Sequence, residues 1–270
     1  MSTQTGGRPG VSALAGRVIL VTGARRGIGL AVAHAAAAAG ARVIVHARER
    51  PQAEAAAQAV GTATRAVWGN LEHVEEIRRV AREAGEHDGR LDGLVNNAGL
   101  AIVKPAADLQ EAEWDRMFAV NVKAPFFMCQ AARPFLQRST DARVVNIASL
   151  HATTAIPGRV AYAASKAALA HLTRTLAIEW APLGIRVNAV APGFVRTEQI
   201  AHLIAREGPR LEARTPLGRL AEPTDVAQAV LFLLCDASRH ITGDMLSVDG
   251  GWALYGGWAL PGEAVGNRLT

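Results

Sequence analysis

Cysteine and long apolar runs are both scarce in this chain of 270 residues. The two cysteines, Cys129 and Cys235, lie far apart and match no metal-binding or redox spacing, so we expect neither a disulfide framework nor a metal centre. The first residues lack the apolar segment behind a basic start that a secretory signal needs, and no later run has the uncharged length of a membrane span. We therefore expect a soluble, cytoplasmic protein.

Lysine is scarce as well, since only three of the 29 basic residues are lysine and the others are arginine. The formal net charge of +5 would suit a nucleic-acid partner if the basic residues were clustered. They are scattered, and aromatic side chains do not interleave with them as platforms for stacked bases would. We expect no nucleic-acid partner and interpret most of the arginines as solvated.

Apolar runs rich in β-branched residues alternate with helical segments along the chain. The strand candidates are residues 17–23, 42–47, 63–69, 91–97, 142–149, 185–192 and 244–250; the clearest helical segments are 29–41, 51–60, 74–84, 111–137, 161–180 and 224–235. This alternation predicts a single-domain α/β fold with a doubly wound, mainly parallel sheet and helices on both faces. We expect the domain to span residues 15–252, between a disordered leader (1–14) and a C-terminal extension (253–270).

The segment TGARRGIG, residues 22–29, joins the first strand candidate to the first helical segment. A glycine-rich turn that opens a helix directs unpaired backbone N–H groups and the positive end of the helix dipole at one point, which suits a phosphate. The glycine spacing is not the G-x-G-x-x-G fingerprint, and by itself the segment is also compatible with an ordinary tight turn.

Further motifs follow in order, namely NNAG at 96–99, Asn121 in NVKAP, Ser149 in NIAS, YAASK at 162–166 and PGFVRT at 192–197. With these motifs the chain resembles the short-chain dehydrogenase/reductase family from about Gly16 to Gly251. The resemblance implies a Rossmann-type fold and an NAD(P)(H)-dependent oxidoreductase that interconverts a ketone and a secondary alcohol. Because the glycine loop, NNAG, Ser149 and the APG that opens the last motif all directly follow strand candidates, these four segments should converge on one crevice at the carboxyl ends of the strands.

The end of the second strand bears on the choice of cofactor. An acidic residue there binds the free ribose 2′-hydroxyl of NAD(H), whereas a nearby arginine accommodates the 2′-phosphate of NADP(H). Here Ala47 stands where the acid would be and Arg48 follows it, while Arg26 is a second candidate for the phosphate and Arg25 is nearer the diphosphate. We therefore expect NADP(H) to be preferred over NAD(H).

The resemblance also implies which residues would contact the cofactor. Asn70 stands where the family commonly has an Asp at the adenine, and Thr197 with the backbone of Val195 would hold the nicotinamide carboxamide. The full cofactor set is Gly23, Arg25, Arg26, Gly27, Ile28, Gly29, Arg48, Asn70, Leu71, Asn97, Ala98, Gly99, Tyr162, Lys166, Pro192, Gly193, Val195 and Thr197.

The candidate catalytic residues are Asn121, Ser149, Tyr162 and Lys166. Tyr162 and Lys166 are four apart on a helical segment and so share a face, where the lysine ammonium should lower the pKa of the phenol. Tyr162 would be the general acid in carbonyl reduction and the base in alcohol oxidation, and Ser149 would polarise the carbonyl oxygen. By resemblance, Lys166 would bind the nicotinamide ribose and Asn121 would hold a water through its backbone.

Substrate specificity is expected between Gly193 and Arg214, with His151 at the rim of the pocket. The candidates in that segment are Phe194, Arg196, His202, Leu203, Ile204, Arg206, Arg210 and Arg214. The pattern is similar both to gluconate dehydrogenases and to 3-oxoacyl thioester reductases, and the sequence does not choose between them. A dinucleotide-binding regulator or scaffold is the alternative function; a homotetramer or homodimer is implied by the resemblance.

Overall fold

The computed structural model describes residues 13–255. Leu14, at the end of the predicted leader, is buried, and its amide donates a hydrogen bond to the carbonyl of Ala39. Residues 1–12 of that leader and residues 256–270 of the predicted extension, Trp258 among them, lie outside the described residues. None of the helices between residues 13 and 255 combines the length and apolar character that a bilayer crossing requires.

One parallel sheet of seven strands forms the centre of the described chain, and each strand lies within one of the seven predicted segments. The strands are β1 (Val18–Val21), β2 (Arg42–Ala47), β3 (Arg65–Trp68), β4 (Gly93–Asn96), β5 (Ala142–Ile147), β6 (Ile185–Pro192) and β7 (Met245–Val248). Their order is β3-β2-β1-β4-β5-β6-β7, so the chain reverses direction across the sheet between β1 and β4. The predicted doubly wound α/β fold is confirmed, and a crevice is expected where the order reverses.

Eight α-helices connect the strands within residues 13–255. They are α1 (Gly27–Ala38), α2 (Arg50–Val60), α3 (Val74–Asp88), α4 (Glu111–Phe118), α5 (Ala124–Leu136), α6 (Val160–Trp180), α7 (Ala201–Arg214) and α8 (Pro223–Leu234). The single helix predicted over 111–137 is wrong in one respect, because a π-helical turn at Ala119–Lys123 separates α4 from α5. The apolar periodicity on both sides of this turn is helical, so the interruption is not visible in the pattern.

Helices cover both faces of the sheet because successive strand residues point to opposite sides. In β1, Ile19 and Val21 pack in the layer with α1, α2 and α8, whereas Val18 and Leu20 pack in the layer with α3, α5 and α6. Both cysteines are free and buried, Cys235 in the first layer and Cys129 in the second. Strands buried on both faces explain why the sequence shows continuous apolar runs rather than alternation.

The contact between α3 and α5 tolerates no side chain at Gly85. A Cβ atom built there would lie 2.2 Å from Cγ of Phe135, a distance at which the ring has to move. We expect Gly85→Ala to lower the free energy of unfolding by about 1–3 kcal/mol, the usual cost of overpacking. Gly208→Ala in α7 is the matched control, because its Cβ would meet only Ile204 at 3.5 Å. Chemical denaturation of both variants checks this, and equal stability would contradict it.

Candidate active site

A cavity of about 640 Å³ opens at the carboxyl ends of the strands. It gathers residues that are up to 177 positions apart in the sequence, and every member of the predicted cofactor set is among the residues that line it. Ser149 and His151 line it too. Of the four predicted catalytic residues, Asn121 is the one that does not line this cavity.

The glycines of the loop after β1 permit a close approach to the loop after β4. Gly23 and Gly27 have φ values of +64° and +58°, which L side chains rarely adopt. A Cβ on Gly29 would lie 2.4 Å from Nδ2 of Asn97, the amide that donates to the carbonyls of Thr22 and Gly23. Thr22 Oγ1 in turn accepts from the amides of Asn97 and Ala98. The loop is therefore held against β4 by hydrogen bonds that a larger residue would break.

This loop fits the phosphates of a dinucleotide. The amides of Gly27, Ile28 and Gly29, at the start of α1, donate to no backbone acceptor within residues 13–255. The N-cap, Arg26, makes no capping bond with its side chain, and the first turn contains no acidic residue. The positive end of a 12-residue helix thus meets the cavity uncompensated, and this environment favours an anion.

The three arginines proposed for the cofactor differ in their partners. Arg26 forms an ion pair with Glu198 (Nη1–Oε2 2.7 Å), which connects the glycine loop to the segment after β6. Arg48 is exposed and lies 3.8 Å from Glu49, while Arg25 is exposed and takes part in no ion pair among residues 13–255. Arg48 and Arg25 are therefore the guanidinium groups with most freedom to bind phosphate, whereas Arg26 would first have to leave Glu198.

The residues expected near adenine line the cavity directly after β3, next to the end of β2. Leu71 is buried, and Oδ1 of Asn70 accepts a hydrogen bond from the amide of Glu72 at 3.1 Å. Asn70 thus shapes its own turn. One acceptor lone pair of the Asn70 amide remains for a ligand.

His46, at the end of β2, is a cavity residue that the sequence analysis missed. Its Nδ1 accepts a hydrogen bond from the amide of Gly23 at 3.2 Å, and its Nε2 donates to the carbonyl of Gly69 at 3.0 Å. Burial lowers the pKa of His46 to about 4, so the ring is neutral and serves both contacts. The signal in the sequence was a polar residue near the end of β2, after three consecutive apolar residues, Val43 to Val45.

Tyr162 and Lys166 lie on the first turns of α6, with Lys166 Nζ 5.8 Å from the centre of the Tyr162 ring. Lys166 is buried and donates a hydrogen bond to the carbonyl of Ile147 at 2.7 Å. Ser149 follows β5, and its Oγ accepts from the amide of His151 at 3.2 Å. Because Oγ accepts there, the hydroxyl proton of Ser149 remains available for a carbonyl oxygen.

The expectation that Lys166 lowers the pKa of Tyr162 is wrong for this structure. Burial raises the pKa of Tyr162, and the Ser149 hydroxyl and the Arg159 guanidinium offset that effect only in part. Burial also lowers the pKa of Lys166 to about 8, which reduces the share of ammonium available to stabilise a phenolate. Tyr162 is consequently a protonated phenol at neutral pH.

Asn121 lies behind the cavity, in the π-helical turn, and is fully buried. Its side chain accepts from the amide of Leu100 and donates to the carbonyl of Leu100, both at 2.8 Å. It also donates to Oγ of Ser165, the neighbour of Lys166, at 3.0 Å. Asn121 therefore ties the loop after β4 to the helix that carries Tyr162 and Lys166.

On the substrate side, aromatic rings form a continuous wall. The ring centroid of His151 lies 6.2 Å from that of Tyr162 and 6.1 Å from that of Phe194, and Phe194 packs on Trp252 at 4.8 Å. Trp252 is buried, and its partners include Leu150 and Leu211. This wall separates the main cavity from a smaller one of about 90 Å³ that His151, Arg214 and Tyr255 help to line.

Of the predicted specificity residues after Gly193, Phe194 is the one that lines the main cavity in the described chain. Arg196 pairs with Glu212 and Glu222, and Arg206 and Arg210 pair with Glu207. Arg214 lies over the Trp252 ring at 4.8 Å, beside the smaller cavity. The arginine that does line the main cavity beside Tyr162 is Arg159, in the segment IPGRVAY, and sequence reasoning had not singled it out.

Comparisons with known proteins agree with the fold. A family model described as enoyl-(acyl carrier protein) reductase matches residues 23–253. The chain is 36% identical over 239 residues to a NAD-dependent glycerol dehydrogenase of Listeria innocua, with 88% of this chain and 94% of that protein covered.

Two solved structures are similar over most of both chains. A short-chain type dehydrogenase/reductase from Mycobacterium marinum is 32% identical, with a TM-score of 0.83 and coverage of 88% of this chain and 96% of that one. A chain from Beutenbergia cavernae, assigned as an NAD(P)-dependent gluconate 5-dehydrogenase and crystallised with NADP at low occupancy, is 38% identical with a TM-score of 0.84. The match covers 91% of this chain and all of that one.

The lowered pKa of His46 predicts how stability depends on pH. An unfolded histidine takes up a proton near pH 6.5, but the folded ring does so only near pH 4, so protonation favours unfolding between these values. The contribution of His46 is complete above pH 6.5 and is lost as the pH falls towards 4, by at most roughly 3 kcal/mol. His46→Asn does not titrate, so its unfolding free energy should fall less over this window. Chemical denaturation at a series of pH values measures this. If the free energy of unfolding falls by the same amount from pH 7 to 4.5 in His46→Asn and in the wild type, the prediction is wrong.

Proposed function

The chain belongs to the short-chain dehydrogenase/reductase family, and from this premise we propose that it is an NADP(H)-dependent oxidoreductase that interconverts a ketone and a secondary alcohol. The observation that carries the proposal is one cavity with two ends. The free amides of the glycine loop line one end, and Ser149, Tyr162 and Lys166 line the other. Such an arrangement suits a cofactor that must be held by its phosphates while its reactive ring meets a substrate.

In this proposal NADP(H) supplies the hydride, and the residues of the chain orient the substrate and move the proton. The hydroxyl of Ser149 donates to the substrate carbonyl oxygen and polarises it. Tyr162 gives its proton to the same oxygen as negative charge develops there. Because burial raises the pKa of Tyr162, the phenol is already in the acid form that carbonyl reduction requires. Lys166, held by the Ile147 carbonyl, and Asn121, through Ser165, position this pair.

The proposed preference for NADP(H) rests on the end of β2. Ala47 is buried and offers no carboxylate to a ribose 2′-hydroxyl, while the exposed Arg48 and Arg25 retain donors for a phosphate. One similar protein is named as NAD-dependent and another was crystallised with NADP, so membership of the family does not decide the preference. The absence of the acid together with the two arginines favours the phosphorylated cofactor.

We propose one catalytic domain over residues 15–252 between the leader (1–14) and the extension (253–270), acting in the cytoplasm. Apolar side chains exposed on α4, α6 and α8, such as Trp114, Ile178 and Phe232, support a homodimer or homotetramer. A dinucleotide-binding regulator or scaffold, the alternative function, has no use for a proton donor beside its cofactor. Tyr162 and Ser149 line the same cavity, which supports the enzyme instead.

Tyr162→Phe tests the acid/base role. Removal of the phenolic proton should lower kcat for ketone reduction by about 10²–10⁴-fold while the affinity for NADPH changes little. Tyr255→Phe is the matched control, because Tyr255 is the only other tyrosine of the chain and lines the smaller cavity. Steady-state rates and NADPH fluorescence titration measure both quantities. Near-normal turnover by Tyr162→Phe would overturn the assignment.

Arg48→Ala tests the cofactor preference. Loss of a charge-assisted phosphate contact should raise the KM for NADPH about tenfold and leave the KM for NADH nearly unchanged. Arg50→Ala is the control, since Arg50 pairs with Glu54 and does not line the cavity. If the ratio of kcat/KM for the two cofactors is the same in Arg48→Ala as in the wild type, the 2′-phosphate is not bound by Arg48.

A further inference from the structure

Positive charge lines the cavity at both ends, although a dinucleotide accounts for only one of them. Arg25, Arg26 and Arg48 lie at the end formed by β1 and β2, where the phosphates are expected. Arg159 lies at the opposite end, with its guanidinium carbon 5.9 Å from the centre of the Tyr162 ring. Its charge is therefore next to the proposed acid rather than next to the proposed phosphate site.

The guanidinium of Arg159 lies over the Tyr162 ring and makes neither a hydrogen bond nor an ion pair with any of residues 13–255. Arg116, which also lines the cavity, is engaged with Glu72 at 2.9 Å. Lys166 is engaged with the carbonyl of Ile147. Arg159 is thus a partly buried cation with all five N–H donors available at the wall of a cavity.

An anion at this end would meet no uncompensated negative charge. The acidic residues that line the cavity are Glu72 and Glu198, and each is paired with an arginine, Arg116 and Arg26 respectively. A carboxylate matches the planar fork of an arginine with two parallel hydrogen bonds. The electrostatics beside Tyr162 therefore favour a substrate that carries a carboxylate.

His151 adds a second polar contact on the same side. Its Nδ1 lies 3.3 Å from Oγ1 of Thr154, and its Nε2 has no hydrogen-bond partner among residues 13–255. Burial lowers the pKa of His151 to about 4, so the ring is neutral. Because the Thr154 hydroxyl already donates to the carbonyl of Leu150, Nδ1 donates to Thr154 and Nε2 is left as an acceptor. A substrate hydroxyl can donate to this nitrogen.

We propose that this site interconverts a hydroxylated keto acid and the corresponding hydroxy acid. The substrate carboxylate binds the guanidinium of Arg159, and a neighbouring hydroxyl forms a hydrogen bond with Nε2 of His151. This inference rests on the proposed function and names its substrate class. In the reduction, bound NADPH would supply a hydride to the ketone carbon and become NADP⁺, while Tyr162 gives its proton to the oxygen to form the alcohol and then regains a proton from solvent. The carboxylate is unchanged and serves only to hold the substrate.

Three ketones separate the effect of the substrate carboxylate on the rate from the effect of the substrate hydroxyls. 5-Keto-gluconate carries the carboxylate and the hydroxyls, 5-oxohexanoate has the same chain and charge without hydroxyls, and methyl 5-oxohexanoate has neither. We expect kcat/KM to fall in this order, with the acid 5-oxohexanoate at least about tenfold above its ester, the usual effect of a charge-assisted bond. Hexanoate, which has no ketone, serves as a binding probe for the NADPH complex and is followed by fluorescence.

Arg159→Gln should lower kcat/KM for the two acids about tenfold more than for the ester, mainly through KM, and should weaken hexanoate binding about equally. Arg159→Lys, which keeps the charge but loses the fork, should recover part of the difference. Arg65→Gln is the control, because Arg65 is exposed at the start of the edge strand β3. This substitution removes the same charge at a residue that does not line the cavity. For the hydroxyl contact, His151→Phe should lower 5-keto-gluconate reduction more than 5-oxohexanoate reduction.

The outcomes distinguish this inference from the proposed function. If the wild type reduces the acid and the ester equally well, or if Arg159→Gln affects both alike, the carboxylate site is wrong while the oxidoreductase stands. If no ketone is reduced but hexanoate binds in an Arg159-dependent manner, the carboxylate site stands and the proposed function is wrong. If hexanoate and both acids bind no better than the ester, the carboxylate site is overturned.

Discussion

The close approach of two loops, one after β1 and one after β4, is the constraint on which the rest of the site depends. Even a methyl group at Gly23 would come within 2.8 Å of the Ala98 backbone, and one at Gly29 would strike the Asn97 amide. That contact sets where α1 begins, and hence where its free amides meet the cavity. His46 secures the same loop from the side of β2. The end of the cavity that suits a dinucleotide is thus built from backbone atoms rather than from functional side chains.

Most of the fold could be predicted because its determinants are local. Continuous β-branched runs predict buried parallel strands, and all seven were found within the expected segments. Residues that directly follow such strands meet at one edge of the sheet, so the sequence also predicts which segments line the cavity. The break in the helix at 119–123 could not be predicted in this way, because it accompanies contacts of Asn121 with Leu100 and Ser165, which are distant in sequence.

The electrostatics of the site depend on the same kind of distant contact. Arg26 is adjacent to the glycine loop in sequence, yet its partner Glu198 lies 172 residues away, and no local pattern indicates that pair. The spacing of Tyr162 and Lys166 predicted a shared face and a lowered phenol pKa; the face is present, but burial determines the pKa. Sequence spacing therefore predicts which groups come together, whereas protonation also depends on how completely the fold removes them from water.

The π-helical turn restricts where residues can be inserted into the chain or deleted from it. Such a turn contains more residues than an α-helical turn, and each residue of a helix advances it by about 100°. Deletion of a single residue between 119 and 123 would therefore rotate α5 relative to α4 and swing Met128 and Cys129 away from the sheet. Relatives of this protein should accept insertions and deletions in surface loops long before they accept one in this helical stretch.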